Sequence, residues 1–156
     1  MNLVKKNFWI LFLLCSFFLT GCNKTPPQNV SQQGLAMNGY DPVSYFGGGL
    51  KKGFQEVFYK DEKTGFTYYF FSQRNRSKFI NNPSRYEPQN GGWCTYGMLA
   101  GVKLMIRPGY YRIMNDRLYL FYNASVMNKW DIRAANIKGG VAALIKEAAK
   151  QWENKL

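Results

Sequence analysis

Residues that favour β-strands are concentrated in two short segments near the middle of the chain, 55–59 and 66–71. A polar stretch, 60–65, lies between them and ends in glycine. Aromatic and β-branched side chains pack well on a pleated sheet, and a short polar connection that contains glycine is typical of a hairpin turn. This pattern therefore predicts a first antiparallel β-hairpin.

A short helix is predicted directly after this hairpin. Ser72 is a residue type that caps helix amino termini, and the helix is expected to run from Gln73 to about Ile80. Pro83 prevents it from continuing further. Phe79 and Ile80 are expected to face the hairpin. The basic residues of this segment are expected to point largely outward: Arg74, Arg76 and Lys78.

A second hairpin is predicted from segments 110–113 and 118–122, which are again rich in aromatic and β-branched residues. Asn115 and Asp116 lie between the two segments. Both residue types tolerate the positive φ angles that tight hairpin turns require. The two segments are therefore expected to pair as antiparallel strands.

Two more helices are predicted in the last part of the chain. Asn123 or Ser125 is expected to begin a short helix that continues through Trp130. After Gly139 and Gly140, apolar residues recur at helical spacing and predict a long C-terminal helix with one apolar face. These apolar residues are Val141, Leu144, Ile145, Ala148 and Trp152.

The order of these elements predicts the fold class. Hairpins and helices follow one another without a repeated strand–helix–strand order, which is typical of α+β proteins. We therefore predict a small single α+β domain of two β-hairpins with packed helices and a long C-terminal helix.

The amino-terminal segment resembles the export signal of a bacterial lipoprotein. Lys5 and Lys6 precede an apolar stretch, 8–19, which is shorter than the roughly 20 residues that span a bilayer. The following Leu-Thr-Gly-Cys, 19–22, resembles the lipoprotein box, in which a diacylglyceryl group is attached to the cysteine and the chain is cut before it. We predict a signal peptide at 1–21 and lipid attachment at Cys22.

This resemblance implies a location and a domain organisation. Residues 22–35 are rich in proline, glutamine, asparagine and serine, and are expected to form a flexible tether before a domain at 36–156. The protein is expected in the bacterial cell envelope, held by its lipid and facing the periplasm or the exterior. Asn23 follows Cys22, and the absence of an acidic residue there favours the outer membrane by the family's sorting rule.

The net charge is strongly positive. The chain has 21 basic and 9 acidic residues, and removal of Lys5 and Lys6 leaves a net charge of +10. In a cytoplasmic protein this charge would favour nucleic-acid binding. The export signal and the scattered basic residues favour attraction to anionic lipid or envelope polymers instead, so no nucleic-acid partner is predicted.

The residue types available exclude several kinds of chemistry. The chain has no histidine, and Cys94 is the only cysteine left after the leader and Cys22 are set aside. An internal disulfide and a zinc site of four thiolate or imidazole ligands are therefore excluded, and hydrolysis with a histidine base is excluded too. The domain is expected to lack catalytic turnover of its own, and the only cofactor considered is the copper(I) ion of one alternative function.

Cys94 supports two alternative functions. Cys94 and Met98 are four residues apart, which places both sulfurs on one face if the segment is helical, and copper(I) prefers soft sulfur ligands. Met37, Met105 or Met114 is a candidate third ligand. Alternatively, Cys94 is the reactive thiol of a thiol-dependent enzyme, because a helix start lowers the pKa of a thiol. Core packing is the simpler interpretation of both sulfur residues.

A ligand pocket is a further hypothesis. Aromatic residues and one carboxylate occur in two segments and would suit a small flat or cationic ligand. The same residues are equally good core and turn residues. The candidate pocket residues are Tyr40, Asp41, Tyr45, Trp93, Cys94 and Tyr96.

An ordered series of motifs resembles the YHS-domain family in its stand-alone exported form. The series begins with Gly-Tyr-Asp-Pro-Val-Ser-Tyr-Phe at 39–46, continues with Tyr-Tyr-Phe-Phe-Ser at 68–72 and includes Gly-Gly-Trp-Cys-Thr-Tyr at 91–96. The resemblance extends over about 39–152 and also includes Asn75, Phe79, Pro83, Tyr86, Arg-Leu-Tyr-Leu at 117–120, Val126 and Trp130.

The family resemblance implies a small α+β fold and, in some members, metal association through cysteines near the first hairpin and helix. This chain departs from that pattern, because Phe71 and Asn75 occupy the matching positions and no histidine is present. The resemblance therefore does not extend to a metal site. It favours a membrane-anchored extracytoplasmic binding or accessory domain for a small ligand or an envelope protein.

Overall fold

The computed structural model describes residues 29–31, 34–47 and 49–154. The signal peptide, Cys22 and the first part of the predicted tether lie outside these residues. Within them, four strands form two separate two-stranded antiparallel sheets. The strands are β1 (Phe54–Lys60), β2 (Thr67–Phe70), β3 (Tyr111–Met114) and β4 (Arg117–Leu120). Both predicted hairpins are therefore confirmed.

Five α-helices accompany the strands in the described part of the chain. They are α1 (Gln73–Asn81), α2 (Pro83–Tyr86), α3 (Thr95–Leu99), α4 (Ala124–Asn136) and α5 (Gly140–Glu153). Helix α1 packs on the first hairpin, whereas α3 and α4 pack against α5. The predicted α+β class and the C-terminal helix are confirmed.

The first hairpin contains an irregularity that shapes its outer end. Regular pairing runs from Lys60 with Thr67 to Phe58 with Tyr69, and the register then shifts so that Phe54 pairs with Phe70. A β-bulge of this kind bends the strand and increases its twist. As a result, the start of β1 and the end of β2 form a distinct end of the hairpin, opposite the turn.

Helix α1 covers the inner face of this hairpin. Its amino terminus is capped as predicted, since Ser72 Oγ accepts a hydrogen bond from the Asn75 N–H at 3.2 Å. Phe79 is fully buried, with its ring 4.7 Å from Tyr68 and 5.3 Å from Phe70. The expectation that Ile80 faces the hairpin is wrong, because a neighbouring helical position points about 100° away and Ile80 is 40% exposed.

The second hairpin turns at the predicted residues. Asn115 and Asp116 have φ angles of 51° and 57°, as a tight two-residue hairpin turn requires. Leu118 and Leu120 lie on the inner side of β4 and are fully buried. The turn chemistry and the buried leucines together fix the register of this hairpin.

Helix α4 is longer than predicted. Asn123 caps it, because its Oδ1 accepts a hydrogen bond from the Val126 N–H at 2.9 Å. The helix does not end near Trp130 but continues to Asn136. Trp130 and Ala134 are buried one turn apart, and burial on a shared face stabilises the added turns.

Residues close to the amino terminus lie against the domain. The Asn29 N–H donates to the Gly91 carbonyl at 2.8 Å, and Asn29 Nδ2 donates to the Gly92 carbonyl at 3.0 Å. Leu35 forms a bridge with Thr67 at the start of β2. The described part of the predicted tether is thus held by the domain. None of the described helices has the length and apolar character that crossing a bilayer requires.

Candidate functional site

The predicted pocket residues lie in two separate segments of the fold. Tyr40, Asp41 and Tyr45 belong to the loop before β1, and Asp41 and Tyr45 are buried. Cys94 precedes α3 and is fully buried. Two open clefts, of about 430 and 320 Å³, are lined by other residues. The remaining candidates, Trp93 and Tyr96, are partly buried.

Asp41 is the most connected polar side chain of the predicted set, and it is fully buried. Its Oδ1 accepts hydrogen bonds from the N–H groups of Val43 at 2.8 Å and Ser44 at 3.3 Å. Its Oδ2 accepts from the Phe71 N–H at 2.9 Å and from Asn75 Nδ2 at 2.6 Å. The carboxylate therefore joins the loop before β1, the end of β2 and the first turn of α1.

Ser44 extends this network toward the start of β1. Its hydroxyl donates to the Asp41 carbonyl at 2.6 Å and accepts from the Lys51 N–H at 3.1 Å. The Asp41 N–H donates in turn to the Lys51 carbonyl at 2.9 Å. Because buried donors and acceptors are costly to leave unpaired, this closed set of bonds holds Lys51 and Phe71 in fixed positions.

Tyr45 packs on the second hairpin. Its hydroxyl donates to the Pro108 carbonyl at 3.1 Å, and its ring meets Tyr111 edge to face at 4.7 Å. Burial is the largest cause that raises the pKa of Tyr45 well above its ordinary value. Smaller contributions in the same direction come from the nearby Tyr40, Tyr111 and Asp41. The hydroxyl therefore stays protonated and serves as a hydrogen-bond donor.

Cys94 and Met98 lie one helical turn apart inside the core. Both are fully buried, and the Met98 N–H donates to the Cys94 carbonyl at 3.0 Å. Within the described ranges, no three histidine, cysteine, aspartate or glutamate side chains are grouped to hold a metal ion. Copper(I) binding by the two sulfurs stays a prediction, and an ion would have to enter a closed core to reach them.

The burial of Cys94 gives a direct test of the thiol-enzyme alternative. In the chain 22–156 produced without its leader and carrying Cys22→Ser, Cys94 is the only thiol, and we expect it to react with a disulfide reagent at least about tenfold more slowly than in the same chain in urea, since reaction requires local opening. Stopped-flow labelling at neutral pH measures both rates. Native labelling that is as fast as labelling in urea would instead support an exposed, reactive thiol.

The structure reveals a group of aromatic and basic side chains at the end of the first hairpin opposite its turn, all of them exposed except the partly buried Tyr40. We call this group the aromatic–basic surface; it consists of Tyr40, Lys51, Lys52, Phe54 and Phe71. The Phe54 and Phe71 rings stack at 5.5 Å and are 48% and 40% exposed. Lys51 Nζ lies 4.1 Å from the centre of the Phe71 ring, and Lys52 Nζ lies 5.9 Å from that of Tyr40.

The buried Asp41 network supports this surface from below. Phe71 is held through its N–H, and Lys51 is held through both its N–H and its carbonyl. Tyr40 and Lys52 form an antiparallel bridge, which aligns the loop before β1 with the strand. Residues 51–54 and Phe71, which are distant in sequence, are therefore fixed side by side, and the side chains of Lys51, Lys52, Phe54 and Phe71 are exposed.

Tyr40 is the only residue of this surface among the predicted pocket residues. The available signal was the Lys-Lys-Gly-Phe run at 51–54, in which two cations precede an aromatic residue. By sequence alone, Lys51 and Lys52 are two of several scattered basic residues, and Phe71 is the last residue of a predicted strand. Only the pairing of β1 with β2 brings Phe54 beside Phe71.

The turn end of the first hairpin has a different electrostatic character. Burial and the nearby Asp61 carboxylate raise the pKa of Glu87. Burial, Glu87 and Asp61 likewise raise the pKa of Tyr68 well above its ordinary value. Two interacting carboxylates thus lie near one end of the hairpin, while Lys51 and Lys52 lie at the other.

No protein-family model, curated protein or solved structure matches this chain.

Proposed function

We propose that this protein is a lipid-anchored, extracytoplasmic binding or accessory domain of the bacterial envelope, with a YHS-like fold. It acts by binding an anionic partner through the aromatic–basic surface. The observation that carries this proposal is the stacked, exposed pair Phe54 and Phe71, with the Lys51 ammonium over one ring and a buried carboxylate holding the backbone below.

The chemistry of the side chains supports binding over turnover. Clustered exposed rings are unfavourable in water and commonly mark an interaction site. The adjacent ammonium groups favour a partner with negative charge. By contrast, the side chains that the sequence offers for metal binding, thiol chemistry or acid–base chemistry are fully buried. They are Asp41, Cys94 and Met98.

The predicted anchor adds a location to this proposal. Two or more acyl chains at Cys22 would make release from the bilayer slow, since each buried methylene contributes about 0.8 kcal/mol. The domain would then act at the membrane surface. Placement in the outer membrane, from Asn23, stays part of the proposal.

Replacing Cys22 by serine tests the anchor. With the leader 1–21 exchanged for an ordinary cleavable signal peptide, so that the variant is still cut, we expect Cys22→Ser to place the protein in the soluble envelope fraction after a high-salt wash, because the acyl chains are lost while ionic contacts are screened. Fractionation with immunoblotting measures this change, and mass spectrometry of the purified chain detects the acyl group.

The leader cysteine provides a matched control. Cys15→Ser removes a thiol that the mature chain does not retain, so membrane association should be unchanged. Retention of Cys22→Ser in salt-washed membranes, or recovery of an unmodified wild-type chain from the cytosol, would contradict the proposed function.

A further inference from the structure

We propose that the aromatic–basic surface docks onto anionic phospholipid headgroups of the same bilayer that holds the Cys22 anchor. This inference rests on the proposed function and names the partner of its surface. Three observations carry it: the composition of the surface, the net charge of the mature chain, and the short distance between the anchor and the domain.

The composition of the surface matches the interfacial region of a bilayer. Aromatic rings are favourable at the boundary between headgroups and acyl chains, and lysine side chains extend from that depth to the phosphates. Phe54 and Phe71 present two adjacent exposed rings, the Lys51 ammonium lies against the Phe71 ring, and the Lys52 ammonium lies against the Tyr40 ring. A single surface thus offers both kinds of contact at once.

The charge of the chain favours an anionic membrane. The mature protein carries a net charge of +10 after loss of Lys5 and Lys6. A negatively charged leaflet attracts lysine and arginine within about one Debye length of the surface, roughly 8–10 Å. Lys51 and Lys52 are both exposed, and their ammonium groups lie against the Phe71 and Tyr40 rings of this surface.

The anchor keeps the domain close to the lipid. The segment from Cys22 to Asn29 reaches at most about 25 Å when fully extended, at roughly 3.5 Å per residue. Asn29 is already hydrogen-bonded to the domain. A domain of about 120 residues has a radius of gyration near 14 Å, so the tether is no longer than the domain is wide. Weak surface contacts therefore form at high effective concentration.

Another exposed apolar group makes a useful comparison. Val102, Leu104 and Met105 are 46%, 39% and 56% exposed. These side chains are not aromatic, and the ammonium of the intervening Lys103 lies 5.4 Å from the centre of the Trp152 ring. The aromatic–basic surface combines rings with two exposed lysines, and we therefore assign docking to it.

The first experiment measures protection of lysines in the acylated mature protein. The protein is reconstituted into vesicles of phosphatidylcholine alone or of equal parts phosphatidylcholine and phosphatidylglycerol, and acetylation rates are read by mass spectrometry. We expect Lys51 and Lys52 to react about fivefold more slowly on the anionic vesicles. Lys129 and Lys146, which are exposed on α4 and α5, should react at unchanged rates.

The second experiment measures the affinity of the surface itself. The full mature chain with Cys22→Ser is sedimented with phosphatidylglycerol-containing vesicles. Lys51→Glu with Lys52→Glu should weaken binding at least about tenfold, whereas the matched reversal Lys129→Glu with Lys146→Glu should weaken it less than about threefold.

The ring pair is tested in the same way. Phe54→Ser with Phe71→Ser should also weaken vesicle binding at least about tenfold. The control is Ile132→Ser with Val141→Ser, which removes two exposed apolar side chains from α4 and α5 and should leave binding unchanged. Near-ultraviolet circular dichroism confirms that each variant is folded.

Several results would overturn docking. The first two are an equal loss of vesicle affinity in the Lys51/Lys52 and Lys129/Lys146 charge-reversal variants, and equal binding to vesicles with and without phosphatidylglycerol. The others are loss of vesicle binding when Leu104 and Met105 are replaced, and self-association of the chain through Phe54 and Phe71, measured by ultracentrifugation. Failure of the proposed function is seen separately, since an unmodified Cys22 is detected by mass spectrometry whatever the vesicle result.

Discussion

Replacement of Asp41 by asparagine is expected to lower the free energy of unfolding by about 3–5 kcal/mol, because four N–H donors, two of them in buried and two in partly buried hydrogen bonds, converge on this fully buried carboxylate. An asparagine amide has one acceptor oxygen and one donor nitrogen. Whichever way it is turned, its NH₂ group faces two donors. Rotation of the Asn75 amide can restore one bond, but the Phe71 N–H then still faces an NH₂ group.

Urea unfolding followed by circular dichroism measures this loss as a shift of the midpoint at constant slope. The matched control is Asp61→Asn, in the turn of the first hairpin. The Asp61 carboxylate accepts from the Lys63 N–H at 2.9 Å and from Thr64 Oγ1 at 2.7 Å, and it is only partly buried. We expect this change to cost less than about 1 kcal/mol. Equal stabilities of Asp41→Asn and the wild type would show that the carboxylate does not hold the loop, β2 and α1 together.

Gly53→Ala is the second change with a large expected effect, about 3 kcal/mol or more of lost stability. A Cβ at this position would lie 2.5 Å from the Phe70 nitrogen and even closer to the Tyr69 carbonyl carbon. Both are backbone atoms of β2, which cannot rotate away as a side chain can. The strands would have to separate where Phe54 pairs with Phe70, so the aromatic–basic surface would be disrupted as well.

Gly47→Ala provides the control for Gly53→Ala. A Cβ added at Gly47 has no atom within 4 Å, and its φ of −126° is accessible to alanine. We expect its stability to stay within about 0.5 kcal/mol of the wild type. Thermal unfolding of both variants makes the comparison. If Gly53→Ala unfolded at the same midpoint temperature as Gly47→Ala, the close approach of β1 and β2 would be contradicted.

The elements that sequence reasoning predicted correctly depend on local chemistry. Ser72 and Asn123 each accept a hydrogen bond from an N–H three residues later, and serine and asparagine are favoured at helix starts because their side chains can accept such a bond. Asn115 and Asp116 adopt the positive φ angles that their side chains tolerate. Such preferences are present in a few consecutive residues and need no information from the remainder of the chain.

The errors have a tertiary cause. The sequence pattern predicts that Ile80 faces the hairpin with Phe79, but adjacent helical positions point about 100° apart, and only Phe79 is buried. The end of α4 was placed near Trp130, whereas the helix continues to Asn136. Burial of Ala134 favours this extension, and the burial of a single alanine depends on a partner that local sequence does not specify.

The candidate site was less predictable than the fold. Asp41 was proposed as a pocket carboxylate, yet its bonds to Phe71 and Asn75 cross 30 and 34 positions of the chain. The residues next to Asp41 in sequence indicate a turn at this position. They give no indication that Phe71 and Asn75 donate hydrogen bonds to its carboxylate. The exposure of Phe54 and Phe71 likewise follows from their pairing across the hairpin, since most aromatic residues of such a chain are expected in the core.

The sequence by itself therefore determined the two hairpins, the helix caps, the α+β class and the scarcity of reactive side chains, because each depends on residue type and short-range spacing. Only the tertiary structure decided that Asp41 is a buried structural acceptor and that rings and lysines share one outer surface. These features arise from contacts between distant segments, and such contacts are set by how the whole core packs.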